Sequence, residues 1–260
     1  MLNGIFLFSG IEGIALGLKD HVRPVAYCEC DPFCQALLMQ HMRNRQLPCA
    51  PIWPDVRTLR GDMFPKGSVD IVCGGSPCQG ISQAGRREGL EDERSSLFYE
   101  QIRIAREVQA AWIFWENVGG AKIKDLCEVA RVFSESGYTA RAGSLAAMEI
   151  GAYHRRRRIF ILAHRSSIRM PRNGNEQISS TETIWKVAVK KTNGYPYKGN
   201  EGNWEARADK LLRDTYGVQA GVDRIRALGN AVVPLQAREA FMRLMGFTPA
   251  TAPASGKEGE

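Results

Sequence analysis

Short apolar runs of β-forming residues alternate with stretches of helical period through the first 165 residues. Leu2–Phe8 is the first run, and Ser9-Gly10-Ile11-Glu12-Gly13 ends it before a short helix over Ile14–Leu18. Val25–Glu29 reads as a second strand with an acid at its end, and Asp31-Pro32 opens the next helix. Ile52–Val56, containing Asp55, is a short third strand, and Val69–Cys73 is a fourth. Ala111–Trp115 is a fifth, ended by Glu116-Asn117-Val118. Leu97–Val108 and Ile123–Ser136 have amphipathic helical period, with Ser95 or Ser96 to cap the first and Gly137 to end the second. Tyr138–Met148 and Ile159–Ala163 complete the set as a hairpin across Gly151. Strands alternating with helices predict an open α/β sheet.

From Arg165 to about Gly217 the pattern fades. Pro171, Gly174, Gly194, Pro196, Gly199 and Gly202 interrupt it, and Ile184-Trp185, Val187-Ala188-Val189 and Trp204 are its few apolar anchors. Order returns with Gly229-Asn230-Ala231-Val232-Val233-Pro234, which leads into a helix ending near Gly246. The expected organisation is a main domain of residues 1–165 and 217–247, a small irregular module at 166–216, and a disordered tail at 248–260. No internal repeat is present.

An apolar content of 44% in 260 residues suits a globule with a full core, and no stretch has the length of a membrane span. The seven cysteines are an odd number in a chain too long to need staples, which implies a reducing, cytoplasmic setting. The net charge of +7 is modest evidence for a polyanion partner. Its distribution is more informative. Arg155, Arg156, Arg157 and Arg158 are consecutive, and Lys186, Lys190, Lys191 and Lys198 surround Tyr195 and Tyr197. Phosphate contact and a solvated face are both open for these groups.

Candidate chemistry collects at predicted strand ends, where open α/β folds keep their ligands. Cys73 lies inside a strand and reads as a small apolar filler. Cys78 follows Pro77 in a glycine-bounded turn and is a candidate nucleophile. Glu29 follows the first glycine turn by about twenty residues, where an acid accepts hydrogen bonds from a ribose diol. Glu116 stands at the same sheet edge as Cys78. Residues 81–96 are polar, glycine-punctuated and without period, the character of a lid or binding loop; Arg86 and Arg87 lie in it. Cys28, Cys30 and Cys34 lack paired metal-ligand spacing, and no metal is expected.

Together these segments resemble the DNA cytosine-C5 methyltransferases over roughly residues 3–164 and 222–245. Phe8-Ser9-Gly10-Ile11-Glu12-Gly13 is similar to the family's S-adenosylmethionine loop, with Glu12 where glycine is usual. Glu29 matches the acid that binds the cofactor ribose, and Asp55-Val56 the pair that contacts adenine. Gly75-Ser76-Pro77-Cys78-Gln79-Gly80 matches the nucleophile motif, with Ser76 where proline is common. Glu116-Asn117-Val118 matches the catalytic acid motif. Arg156 and Arg158 fall on the paired arginines, with Tyr153 and His154 replacing the proline and glutamine usual before them. Arg224 through Pro234 matches the C-terminal motif that closes the cofactor pocket.

The resemblance implies a Rossmann-like S-adenosylmethionine-dependent methyltransferase sheet, mostly parallel with an antiparallel hairpin, plus a small target recognition module. It implies a DNA (cytosine-5-)-methyltransferase of restriction–modification type, monomeric and acting on double-stranded DNA. The implied catalytic residues are Cys78, Glu116, Arg156 and Arg158. The implied cofactor contacts are Phe8, Ser9, Gly10, Ile11, Gly13, Glu29, Asp55, Val56, Pro77, Asn230 and Ala231. Cys78 would add to C6 of a flipped cytosine while Glu116 holds N3 and the amino group. Two alternatives share these motifs: an RNA or tRNA cytosine-C5 methyltransferase, and a catalytically silent DNA-binding decoy. A nicotinamide oxidoreductase accounts for the first 60 residues but for neither the Pro-Cys nor the Glu-Asn-Val segment. The 166–216 module is short for target recognition, so sequence selectivity is the property least specified.

Overall fold

In the computed structural model, residues 1–76, 96–119, 123–152, 154–168 and 231–246 are described. The elements in chain order are β1 (Leu2–Leu7), α1 (Gly13–Leu18), β2 (Val22–Cys28), α2 (Pro32–Arg43), β3 (Ile52–Trp53) and β4 (Ile71–Gly74). They continue with α3 (Ser96–Glu107), β5 (Trp112–Val118), α4 (Ile123–Glu135), β6 (Tyr138–Ala146), β7 (Arg157–Arg165) and α5 (Pro234–Met245). The sheet has the order β3-β2-β1-β4-β5-β7-β6. Pairs from β3 through β5 are parallel, whereas β7 runs antiparallel to both β5 and β6. This is the expected mostly parallel sheet closed by a hairpin.

Side-chain alternation along the central strands builds two apolar layers. Val72, Ile113 and Trp115 face a layer with Phe98, Ile102, Val129 and Phe133 of α3 and α4. Ile71, Cys73 and Phe114 face the other, with Leu18 of α1, Leu38 of α2 and Phe241 of α5. Phe114 stacks on Phe160 and meets Phe241 edge-on, which joins β5, β7 and α5 in one contact set. Asp31 caps α2 as its position before Pro32 predicts, accepting from the Phe33 and Cys34 amides at 2.9 and 3.3 Å.

Several strand limits differ from the sequence expectation, and three of the differences have a clear local reason. β2 begins at Val22, through Pro24, because β3 pairs only with Tyr27 and Cys28, leaving an edge where a missing N–H is tolerated. The β1–β2 register shifts between Gly4 and Ile5 beside that proline. β3 is only Ile52–Trp53, because Pro54 ends the ladder. β5 continues through Glu116, Asn117 and Val118, whose polarity suggested an ending, because β7 pairs with all three.

α1 and α5 cross closely. A Cβ on Gly17 would lie 2.2 Å from the Pro234 carbonyl oxygen, and one on Gly13 would lie 2.0 Å from that of Val232. Both clashes are with backbone, which no rotamer change relieves. Gly17→Ala would gain about 1 kcal/mol of helix propensity but should lose more through overpacking. The expected net destabilisation is roughly 1–2 kcal/mol in urea unfolding. A stabilised variant would show that the two helices do not pack this closely.

Candidate active site

The strand order reverses between β1 and β4, so the crevice outside their carboxyl ends is the topological switch point. The turn after β1 follows an uncommon path: Phe8, Gly10 and Glu12 all have positive φ, at 53°, 52° and 68°. Glu29, at the end of β2, holds this turn. Its Oε2 accepts from the Gly10 amide at 2.6 Å and its Oε1 from the Asp31 amide at 2.8 Å. Ser9 donates from its amide to the Cys28 carbonyl and from its hydroxyl to the Phe6 carbonyl. Ile11 is buried and Gly13 seats against Val232. Phe8, Ser9, Gly10, Ile11, Gly13, Glu29 and Ala231 are therefore carried by segments that pack around one strand edge. Glu29 is largely buried, yet each carboxylate oxygen retains a lone pair for a ligand hydroxyl, which suits a nucleoside.

Asp55 and Val56 follow β3 on that side. Val56 is a core residue. Asp55 accepts from the Arg57 amide and side chain, which hold its carboxyl below the usual carboxylate range.

Glu12 takes the left-handed conformation that glycine adopts without strain, and it enters α1 as the N-cap. Its carboxylate is buried against His41 of α2, with Oε2 2.7 Å from Nδ1. Burial raises the Glu12 pKa, and His41 opposes that shift. The substitution at this position thus pins the turn to α2.

Glu116 and Arg158 form the second centre. They lie diagonally across β5 and β7, where Glu116 pairs with Phe160 and Arg158 with Val118; both are nine-tenths buried, with Arg158 Nε 2.8 Å from Glu116 Oε1. The N–H does not point along that contact, so it is an ion pair without hydrogen-bond geometry. Burial pushes the Glu116 pKa up to about 7, against the lowering effects of Arg158 and Arg156. Because this pKa exceeds the unfolded value, the folded state holds the proton more tightly. That contribution to stability is present below about 4.5 and is lost as pH rises through about 7.

The four consecutive arginines divide by alternation. Arg155 and Arg157 are exposed, and Arg157 pairs with Glu149 at 3.1 Å. Arg158 faces Glu116, while Arg156 donates to the Ala231 carbonyl. Arg156 and Arg158, which the resemblance pairs, make different contacts: a backbone carbonyl for one and a carboxylate for the other.

β4 runs beside β5, and its end leads through Gly75 and Ser76 toward Pro77 and Cys78. A Cβ on Gly75 would lie 2.6 Å from Glu116 Oε2, so any other residue there would push that carboxylate from its place. Trp115 donates from Nε1 to the Ser76 hydroxyl at 3.0 Å, both residues buried. On the face of these strands that Trp115 shares with α3, Gln101 donates to the Phe114 carbonyl at 3.2 Å and to that of Val72 at 3.4 Å. Sequence reading missed Trp115, Gln101 and His41. The available signals were Ser76 and Glu12, two of the positions that depart from the family pattern.

Cys73 is fully buried and its thiol pKa is raised by that burial, as suits a core filler. Pro77, Cys78, residues 81–95, Asn230, the stretch 169–216 and the 248–260 tail lie outside the described residues. Among the described residues, no group of three or more His, Cys, Asp or Glu side chains could hold a metal ion. Nor is any helix there long and apolar enough to cross a membrane.

A switch-point crevice with an acid-held glycine turn, beside a buried acid–arginine pair, is the layout of a Rossmann-like nucleoside-binding fold. The profile of the C-5 cytosine-specific DNA methylases matches residues 2–219, and the chain belongs to that family. It is 30% identical over 239 residues to the type II methyltransferase M.CviJI of Paramecium bursaria Chlorella virus IL3A, covering 92% of this chain and 58% of that one. It is 34% identical over 169 residues to M2.BsuMI of Bacillus subtilis, covering 61% and 41%. The chain thus spans about half the length of these curated relatives. Among solved structures, a prophage-encoded E. coli protein described as a DNA modification methyltransferase superposes with a TM-score of 0.53 at 25% identity, covering 66% of this chain and 49% of that one. The DNMT2 of Spodoptera frugiperda shares the fold, with a TM-score of 0.52 at 20% identity, covering 68% and 54%.

NMR titration of the Glu116 carboxyl should give a midpoint near 7 in the wild-type chain. Arg158→Met should raise it, because a buried carboxylate loses its nearest cation. A wild-type midpoint near 4.5 would contradict the buried geometry.

Proposed function

We propose that the chain transfers a methyl group from S-adenosylmethionine to C5 of a cytosine flipped out of double-stranded DNA, through a transient Cys78–C6 bond. The observation that carries this reading is the buried Glu116, with a pKa near 7, at the end of the strand next to the one leading into Pro77-Cys78. Family membership, the glycine turn tied to Glu29 and the basic hairpin support it.

Cytosine C5 is a weak nucleophile. Adding the Cys78 thiolate to C6 breaks the ring's aromaticity and moves electron density onto C5. A protonated Glu116 donates to N3, so the ring does not accumulate the negative charge of the addition. With a pKa near 7, this carboxyl is divided between its protonated and ionised forms near neutral pH, so it can both give and take back the proton. Arg158 adds positive charge beside the base and, by stabilising the Glu116 carboxylate, keeps that pKa from rising further. C5 then takes the methyl group, loses its proton, and elimination across C5–C6 restores the double bond and the Cys78 thiolate. The base must leave the helix for any of these atoms to meet.

S-adenosylmethionine, when bound, supplies the electrophilic methyl group on a sulfonium. In this reading Glu29 would accept from the ribose hydroxyls, and Phe8, Asp55 and Val56 would hold the adenine. Ser9, Gly10, Ile11 and Gly13 line the turn beneath it, and Pro77, Asn230 and Ala231 complete the pocket. The 81–96 stretch is proposed to close over DNA and residues 166–216 to read it.

Cys78→Ala should abolish methyl transfer, measured with tritiated methyl donor on duplex DNA, while DNA binding persists. Wild-type protein should form a covalent complex on 5-fluorocytosine DNA. Unchanged turnover in Cys78→Ala would sink the mechanism. Transfer only to an RNA arm would reassign the substrate, and absence of any trapped complex would favour the silent decoy.

Glu116→Gln should lose most turnover with near-normal affinity for S-adenosylhomocysteine by calorimetry. Lost cofactor binding would place Glu116 in the wrong role.

A further inference from the structure

α5 turns an apolar face inward: Ala237, Ala240, Phe241 and Leu244. Gln236 is the single buried polar residue on it, at 0% exposure. A primary amide in such surroundings costs roughly 1–3 kcal/mol unless its hydrogen bonds are met. Both donors of this one are. Nε2 donates to the Leu145 carbonyl at 2.6 Å and to the Arg156 carbonyl at 2.9 Å. Oε1 accepts nothing among the described residues. The amide is oriented for its two N–H groups, and a single nitrogen spans two acceptors that no apolar side chain of that size could join.

Those acceptors belong to opposite arms of the β6–β7 hairpin. Leu145 is the cross-strand partner of Arg158, and Arg156 lies one residue before β7 begins. This is where the hairpin opens into the 3₁₀ turn Ala147–Ile150. Arg156 has φ +20°, a backbone that persists only where its surroundings hold it. The returning segment grips it at both ends, its guanidinium through the Ala231 carbonyl and its own carbonyl through Gln236. Two residues along, on the next inward position, Arg158 meets Glu116.

We infer that Gln236 is a positioning residue for the Glu116–Arg158 pair: it fastens the open end of the β6–β7 hairpin to α5 and so fixes how far Arg158 reaches over Glu116. This rests on the proposed role of that pair as the acid centre. A contact of 2.8 Å does not survive a shift of the hairpin arm by half a strand step, about 1.6 Å.

Two variants separate positioning from packing. Gln236→Met keeps length and volume but donates nothing. Gln236→Glu keeps the shape and sets a carboxylate against two carbonyls, yet regains one O–H donor when protonated. The full-length chain is assayed for methyl transfer to duplex DNA across pH, for S-adenosylhomocysteine affinity by calorimetry, and for the Glu116 midpoint by NMR. For Gln236→Met, kcat should fall about tenfold while cofactor affinity stays within about threefold.

Among the described residues, three groups face the Glu116 carboxyl: Arg158 from β7, Arg156 from the residue before that strand, and the Gly75 backbone after β4. With Arg158 withdrawn, the Glu116 midpoint should rise from near 7, and the alkaline limb of kcat/KM should move up with it. Gln236→Glu should recover part of its rate as pH falls. A Glu116 midpoint unmoved in both variants overturns the inference, whatever happens to their melting temperatures. If the wild-type chain methylates nothing, the functional reading fails, while the NMR midpoint still decides the role of Gln236.

Discussion

A carboxyl group and a guanidinium kept from water at one sheet edge set the terms for everything around them. Burying either charge alone is costly, and a paired arrangement is tolerated only if its geometry is held. The surroundings of Glu116 and Arg158 meet that demand on every side. Gly75 leaves room for the carboxylate, Trp115 ties the strand of Glu116 to the turn at Ser76, and Gln101 holds β4 to β5. The hairpin of Arg158 is fastened by α5. The unusual backbone and the buried polar contacts are concentrated here and in the Glu29 turn, which is the expected place for strain in a functional fold.

The cofactor side and the acid side are built by different means. Around Glu29 the backbone supplies the donors: the Gly10 and Asp31 amides converge on one carboxylate, and positive φ angles let the turn double back. Around Glu116 side chains do the work, across strands that are neighbours in space and far apart in sequence. α5 serves both, since the segment leading into it touches Gly13 on one side and Arg156 on the other.

This division explains what could be read from the chain in advance. Strands such as Leu2–Leu7 and Ile71–Gly74 are short β-forming runs with glycine after them, and local composition reveals them. Acids closing β2 and lying near the end of β5 are equally visible, as is the helix after Pro234. Strand limits at Pro24 and at Glu116–Val118 were not, because pairing partners decide them. The same holds for contacts that join distant positions: Trp115 to Ser76 across 39 residues, Glu12 to His41 across 29, and Gln236 to Arg156 across 80. Such hydrogen bonds leave no period in the sequence. Two of them surfaced only as oddities: a serine where proline is common and a glutamate where glycine is usual.

The packing of α5 also has a consequence for the order of events during synthesis. The helix that covers α1 and the β6–β7 hairpin is made from residues 234–245, whereas α1 is made from 13–18. Chains emerge from the ribosome at about 5–20 residues per second and fold as their segments become available. The part of the sheet face bearing Phe114 and Phe160 must therefore wait for the last described helix before its cover is complete. Until then Arg156 has neither of its holds from that segment, and a nascent chain carries all the strands of this sheet without a finished centre.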